Sequence, residues 1–310
     1  MKRVECFKIR LFKAKLEENI FDINSLKVIK EINCDRIGMS LTPKTILADP
    51  FLFVNNDKLH LFFEDKQYMR NGVISMISTS DLITWSKPKI VLMEDCHLSY
   101  PYVFKDKEKI YMIPETCEKK SVRLYEANAD LTSFCYVNTL LKSDYNYDIS
   151  FSDSSVKYSG GKYFLMTTVS DGTNTLKLYI SDDLEGPYME HIMSPLTKSN
   201  RYGRNAGSIF EYAGNLYRVA QDCDKGYGEN VHLFKIKSMA ENFYDEELVK
   251  QNLFDRRKGF YKDGGHQFNI VKFHDSNIIA TDAKEYHSFI LCKIANRVIK
   301  DIKKCLWVIK

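Results

Sequence analysis

The sequence predicts an all-β fold, a five-bladed β-propeller of four-stranded antiparallel blades, on three observations. One pattern, a short apolar run, a turn of Asn/Asp/Gly/Lys type and a second apolar run, recurs five times. Its copies start at residues 49, 100, 153, 206 and 266, so the pitch is 51, 53, 53 and 60 residues. Helical periodicity is scarce through the middle of the chain. A repeated hairpin at this pitch implies an array of small sheets, and five of them suggest a closed ring.

The copies run in order. The first is Asp49-Pro-Phe-Leu-Phe-Val, a turn at Asn55-Asn-Asp-Lys, then Leu59-His-Leu-Phe-Phe-Glu64. The second runs from Tyr100-Pro-Tyr-Val-Phe to Ile110-Tyr-Met-Ile-Pro-Glu115, and the third from Asp153-Ser-Ser-Val through Gly160-Gly to Tyr163-Phe-Leu-Met-Thr-Thr168. The fourth runs from Ala206-Gly-Ser-Ile-Phe through Ala213-Gly-Asn to Leu216-Tyr-Arg-Val-Ala-Gln221. The fifth runs from His266-Gln-Phe-Asn-Ile-Val through Asp275-Ser-Asn to Ile278-Ile-Ala-Thr281. Outer strands are expected after the hairpins, at Gly72–Ser80, Ser121–Glu126, Leu176–Ser181 and Val231–Ile236. Residues 1–45 precede the first copy; the alternation in Cys6-Phe-Lys-Ile-Arg-Leu-Phe suits an edge strand that closes the ring. Residues 294–310 differ: apolar positions fall at helical spacing with Arg297, Lys300, Lys303 and Lys304 between them. That segment reads as a short basic amphipathic helix, packed on the ring or lying on an anionic membrane face. The whole chain, 1–310, is read as a single propeller domain.

Bulk composition bounds the function. Apolar residues make up 44% of the 310, enough for a real core, and 19 Tyr with 19 Phe suit strands and a sugar-binding surface. A net charge of +4, spread along the chain, gives no nucleic-acid footprint. The eight cysteines contain no CxxC pair, so spacing indicates neither zinc nor a redox pair, and reduced thiols are expected. No signal-peptide core and no run of eighteen apolar residues is visible, so the expected location is cytoplasmic.

The inner strand of a propeller blade lines the channel, so the first residue of each copy and the residue fifteen later approach one mouth. These rings are Asp49, Tyr100, Asp153, Ala206 and His266, then Glu64, Glu115, Thr168, Gln221 and Thr281, with Asp65, Asp222 and Asp282 one step on. The framework stays apolar while these positions diverge into ionisable types. Converging carboxylates raise one another's pKa, which separates acid from base roles; the plainer alternative is that an Asp at a strand start caps a turn. Asn200-Arg-Tyr-Gly-Arg-Asn-Ala-Gly207 brings Arg201 and Arg204 toward the mouth, and Gln221–Gly228, with Tyr227, leaves the same hairpin. Arginine there suits an oxyanion or a structural ion pair. Asp49, Asp153 and Glu115 are the candidate catalytic residues. Glu64, Tyr100, Arg201, Arg204, Gln221, Asp222, Tyr227, His266 and Asp282 are candidates for binding substrate, with no metal and no cofactor expected.

Ala48-Asp-Pro-Phe-Leu-Phe with Leu61-Phe-Phe-Glu resembles the first blade of family-43 glycosidase propellers, and Ser78-Thr-Ser-Asp-Leu-Ile-Thr-Trp85 and Ser181-Asp-Asp-Leu-Glu-Gly-Pro-Tyr188 resemble their outer-strand signature. His97-Leu-Ser-Tyr-Pro-Tyr-Val-Phe104, Tyr111-Met-Ile-Pro-Glu-Thr116 and Tyr217-Arg-Val-Ala-Gln-Asp-Cys223 are similar to motifs of a family-43-like domain. That domain stands at the N-terminus of glucosamine inositolphosphorylceramide transferases and in bacterial surface-polysaccharide relatives. The resemblance spans roughly residues 45–290. It implies that Asp49 is the base and that Asp153 orients the acid. The family's general acid has no counterpart, since copy four carries Arg204-Asn-Ala-Gly207 there. An inverting glycosidase needs both acid and base, a role Glu115 or Glu64 could take instead. A transferase whose donor leaves as a phosphate needs positive charge more than a proton. The expectation is therefore glycosyl transfer from a sugar nucleotide in surface polysaccharide or glycolipid synthesis, with a hydrolase or phosphorylase and a non-catalytic glycan-binding propeller as the alternatives. The expected partner is a carbohydrate or glycolipid, not nucleic acid, with peripheral contact at the inner membrane face through the C-terminal segment.

Overall fold

A computed structural model describes residues 3–34, 43–143, 149–170, 172–257 and 259–287. The segment 294–310, read above as an amphipathic helix, lies outside them. Among the described residues there is no α-helix, only three-residue 3-10 turns at Ile23–Ser25 and Cys117–Lys119.

Each repeat copy is an antiparallel hairpin extended outward by further strands. The first blade is Lys44–Asn55, Lys58–Gln67, Val73–Thr79 and Lys89–Leu92. The second is Ser99–Asp106, Lys109–Glu115, Ser121–Ala127 and Phe134–Lys142. The third is Phe151–Ser159, Lys162–Ser170, Asn174–Ser181 and Met189–Glu190, with Thr197–Lys198 also on its third strand. In the fourth the inner strand is broken into Arg204–Asn205 and Phe210–Tyr212, followed by Asn215–Asp222, Asn230–Ala240 and Phe243–Lys250. The fifth takes Phe268–Phe273 and Ser276–His287 from one end of the chain and Val4–Lys15 and Lys27–Ile32 from the other. The N-terminal segment was expected at an edge. Instead Val4–Lys15 is interior, paired residue for residue with Ser276–His287 on one side and with Lys27–Ile32 on the other. A single parallel pair, Phe7 to Ile46, joins this blade to the first.

The ring closes because strand alternation gives every blade two apolar faces. Met112 packs with Phe62, Ile74 and Tyr125 between the first two blades, while its neighbour Ile113 packs with Val156 and Leu165 between the next two. Phe164 and Met166 then face Ile236 and Tyr244, Val219 and Leu233 face Phe268 and Ile279, and Ile9 and Ile278 face Leu52 and Leu61. Among the described residues each blade junction thus has its own core. Burying each such Leu, Ile or Phe is worth about 1.5–3 kcal/mol.

At the inner hairpins one device recurs. Asp49, Tyr100 and Asp153 adopt left-handed backbone, with φ of 51°, 45° and 51°. Each sits where the ladder skips register, between Ala48 and Phe51, Ser99 and Tyr102, and Ser152 and Ser155. A bulge of this kind re-aims a side chain at a sheet rim, and a non-glycine held left-handed costs on the order of 1–3 kcal/mol. In the fourth blade Gly207 bends the chain instead, because a Cβ there would lie 2.2 Å from the Phe268 carbonyl oxygen.

Candidate active site

The bulges deliver Asp49 and Asp153 to a common centre that also receives Glu64, Glu115, Arg204 and His266. All but Arg204 are buried, and Arg204 is partly so. Asp49 Oδ1 lies 3.0 Å from His266 Nε2, and Asp49 Oδ2 accepts the Tyr100 N–H at 3.0 Å. His266 Nδ1 lies 3.0 Å from Asp282 Oδ2. Asp282 also accepts backbone N–H groups from His266 at 2.8 Å, Gln267 at 3.1 Å and Asp49 at 3.2 Å. An imidazole between two carboxylates keeps both protons: burial pushes its pKa down, but Asp282 and Asp49 outweigh that and hold it well above the usual value. Asp49, Asp282 and His266 could in principle ligate a cation, since their donor atoms fall within 4.8 Å of one another. Three backbone N–H groups already point at the Asp282 carboxylate, so it is held firmly beside His266.

Across the centre, Arg204 Nε donates to Asp153 Oδ2 at 2.6 Å and Nη2 to Glu115 Oε2 at 3.3 Å. One guanidinium therefore spans both carboxylates, well inside the roughly 10 Å that an acid/base pair can use. Asn205 Nδ2 donates to the Asp153 carbonyl at 2.8 Å, and Ser99 Oγ to Glu115 Oε1 at 3.3 Å. Tyr227, 41% exposed, covers the group: its ring lies 5.1 Å from His266 and 5.2 Å from the Arg204 guanidinium carbon. Lys284 Nζ fixes its carbonyl at 2.5 Å.

The carboxylates are driven apart in protonation. Burial alone would raise Asp49, but the charge and hydrogen bond of His266 with the Tyr100 N–H hold it below the usual range. Burial, and then the Asp49 charge, push Glu64 well above it. Burial lifts Asp153 to about 8, with Glu115 and Asp49 adding and Arg204 opposing. Groups separated in this way mark acid and base assignments.

His97 and Asn205 were not among the sequence candidates. His97 Nδ1 accepts the Gly72 N–H at 2.8 Å, so in the neutral ring the proton is on Nε2, 3.3 Å from Glu64 Oε1. Burial, with Lys66, lowers the His97 pKa and keeps it neutral. Gly72 is required here, since a Cβ would lie 2.5 Å from the Leu98 carbonyl and 2.7 Å from the His97 ring. The one visible signal was His97 opening the Leu-Ser-Tyr-Pro motif.

Other candidates fall elsewhere. Arg201 does not join Arg204. Three residues along a bent segment, it turns into a side cleft of about 590 Å³ and meets Asp222 at 3.4 Å. Asp222 faces that cleft, backed by the buried His232 at 3.1 Å, because strand alternation sends it opposite to Gln221. Asp65 likewise faces a separate cleft of about 520 Å³, held by Lys44 and Ser75. Gln221 is buried and accepts from Cys223 Sγ at 3.0 Å. Asp282 is fully buried behind His266, 3.0 Å from its Nδ1. Tyr100 packs edge-on against Phe51.

The ring of blades is a fold also seen in solved glycoside hydrolases. A thermostable family-43 glycoside hydrolase shares it, with a TM-score of 0.52 at 13% identity over 68% of this chain and 76% of that one. So does a family 117 glycoside hydrolase from Zobellia galactanivorans, with a TM-score of 0.52 at 13% identity over 78% and 75%. These likenesses concern fold alone. Residues 28–283 match the family described as glucosamine inositolphosphorylceramide transferase 1, N-terminal, and the chain belongs to that family. Glucosamine inositolphosphorylceramide transferase 1 of Oryza sativa subsp. japonica is 37% identical over 243 residues, 75% of this chain and 31% of that protein. Its Arabidopsis thaliana counterpart is 32% identical over 260 residues, 80% and 33%. The chain spans about a third of the length of these relatives.

Proposed function

We propose that this chain is a carbohydrate-active enzyme that transfers a sugar from an activated donor to an acceptor in glycolipid or surface-polysaccharide synthesis. The observation that carries the reading is Arg204, which sits beside Asp153 and Glu115 where a hydrolase would keep its acid, across the site from an ionised Asp49. Two of the guanidinium's five N–H groups are committed to Asp153 and Glu115; those left over, with the positive charge, suit a departing phosphate. Asp49 takes the proton of the acceptor hydroxyl as its oxygen attacks the anomeric carbon and the bond to phosphate breaks. His266 and Asp282 keep Asp49 ionised for that step. Tyr227 offers the sugar a face to stack on. The named relatives are glucosamine inositolphosphorylceramide transferases, which favours a glycolipid acceptor. Sugar nucleotides are cytosolic, so the proposed site of action is the cytoplasm, with residues 294–310 touching the inner membrane face. Among the described residues no helix is long and apolar enough to cross a membrane.

A second reading has its own support. Glu64, driven toward its protonated form beside Asp49, is an acid facing a base, and His97 Nε2–H on Oε1 would leave the carboxyl proton for a leaving oxygen. That arrangement suits hydrolysis or phosphorolysis of a glycosidic bond. Mass spectrometry of a panel of sugar nucleotides, with and without inositol-phosphate lipid or oligosaccharide acceptors, separates the two. Transfer requires donor consumption that depends on acceptor and is abolished in Asp49→Asn and Arg204→Ala. Free sugar from an unactivated oligosaccharide, lost in Glu64→Gln, would establish the second reading. No turnover by the native chain, with glycan binding retained in an Asp49/Asp153 double variant, would leave a binding module.

A further inference from the structure

Away from the mouth, at the seam where the two ends of the chain meet, lies a second cluster that glycosyl chemistry does not use. Cys6 is on the N-terminal strand, Cys34 follows the strand Lys27–Ile32, and His287 ends the strand Ser276–His287. Their sulfur and ring-nitrogen donors all lie within 4.8 Å of one another. Both thiols are buried, and Val4 and Tyr68 pack against them. Glu285 reaches into the same space: its Oε1 is 2.7 Å from His287 Nε2 and 3.3 Å from Cys34 Sγ, while Lys8 Nζ holds Oε2 at 2.5 Å.

The geometry points to a structural site for a zinc-class divalent cation, ligated by Cys6, Cys34 and His287, with Glu285 beside them, and fastening the seam of the ring. Two thiolates with an imidazole select zinc-like ions over hard ones such as magnesium or calcium. Bond lengths of 2.3 Å to sulfur and 2.0–2.1 Å to nitrogen put neighbouring ligands of a tetrahedron about 3.5–3.8 Å apart. Donor atoms within 4.8 Å of one another reach those spacings with a contraction of no more than about 1.3 Å. A disulfide would use the two sulfurs but would leave the convergence of His287 and Glu285 without a purpose. Loading releases the two thiol protons to solvent and moves no electrons. Glu285, fixed by Lys8, holds the His287 ring through Nε2 and leaves Nδ1 to the ion, as outer-sphere partners do. The ion would tie together three segments that the sequence holds far apart.

The test uses the full chain, reduced and stripped by chelator, titrated with cobalt(II) and then zinc. The expected result is one cobalt per chain with a thiolate-to-cobalt charge-transfer band, displaced by one zinc, and a melting temperature that rises on zinc addition. Cys34→Ser should abolish the band, and His287→Ala should weaken binding by at least about 10-fold, a loss that even outer-sphere changes reach. Cys135→Ser, at an exposed position, should leave binding unchanged. Circular dichroism checks that each variant folds, and His287→Ala carries the test if Cys34→Ser does not. Absence of a thiolate band, a band that survives loss of Cys6 or Cys34, or recovery of a linked Cys6–Cys34 pair from reduced protein would overturn the site.

Discussion

Replacing Arg204 by Met tests whether the guanidinium is the counter-ion of a buried acid pair. Met fills the stem's volume but removes the 2.6 Å bond to Asp153 and the 3.3 Å contact to Glu115. Breaking one side of a buried ion pair costs about 3–5 kcal/mol, unless the stranded carboxyl takes up a proton. Asp153 can do so, because its folded-state pKa already stands at about 8. Well below that value the carboxyl is largely neutral and the variant loses little more than hydrogen bonds from a charged donor, about 1.5–3 kcal/mol. Above it the native chain keeps a true ion pair that the variant lacks. The sign follows from linkage: a carboxyl raised on folding contributes stability that is full below its unfolded pKa and is lost as pH rises through the folded value. Removing Arg204 raises that value further, so the deficit widens with pH. Urea unfolding should show a loss of about 2 kcal/mol at pH 6 and about 1.4 kcal/mol more at pH 9. Equal losses at both pH values, or a larger loss at pH 6, would refute the reasoning.

Asp49→Asn should lower turnover by about 100-fold or more and let the His266 titration fall toward 6.5, read by NMR of the ring protons; an unmoved titration would remove Asp49 as its partner. Glu64→Gln should gain stability over the native chain as pH rises above about 4.5, because the glutamine has no proton to lose from a buried site; parallel stability–pH curves would argue against a raised Glu64 pKa. Gly228→Ala should cost more than about 1 kcal/mol and weaken glycan binding, since φ is +65° and the new Cβ would lie 3.3 Å from His266 Cβ. Gly214→Ala, at φ +71° in open space, should show the backbone strain without the binding defect.

The repeat carried most of the fold because packing is periodic: Met112 and Ile113 must face opposite neighbours in any such blade. The bulges at Asp49, Tyr100 and Asp153 were legible as strand starts but not as left-handed residues. None of the three is glycine, and the strain is imposed by the ladder. At the site, register alone brought Asp49, Glu64, Glu115, Asp153 and His266 to one mouth. It could not show that Arg204 is committed to two carboxylates, or that Arg201, three residues away, turns aside with Asp222, because those orientations depend on the break at Gly207. Nor could it show Cys6 meeting Cys34 and His287, since spacing rules for metal sites look for ligands close along the chain.

Val4–Lys15 pairs with Ser276–His287 from Val4↔His287 to Lys15↔Ser276, a join between strands about 260 residues apart, the earliest and latest of the described ring. A ribosome adding about 5–20 residues per second would leave the first strand waiting on the order of 10–50 s for its partner. During that interval one or both of its edges offer unpaired backbone to any passing strand. The first blade must likewise form beside a gap. Assembly of the mouth is therefore a late event: His266 and Asp282, which keep Asp49 ionised, arrive only with the strands that shut the ring. A half-made chain can be folded over much of its length and still lack a working base.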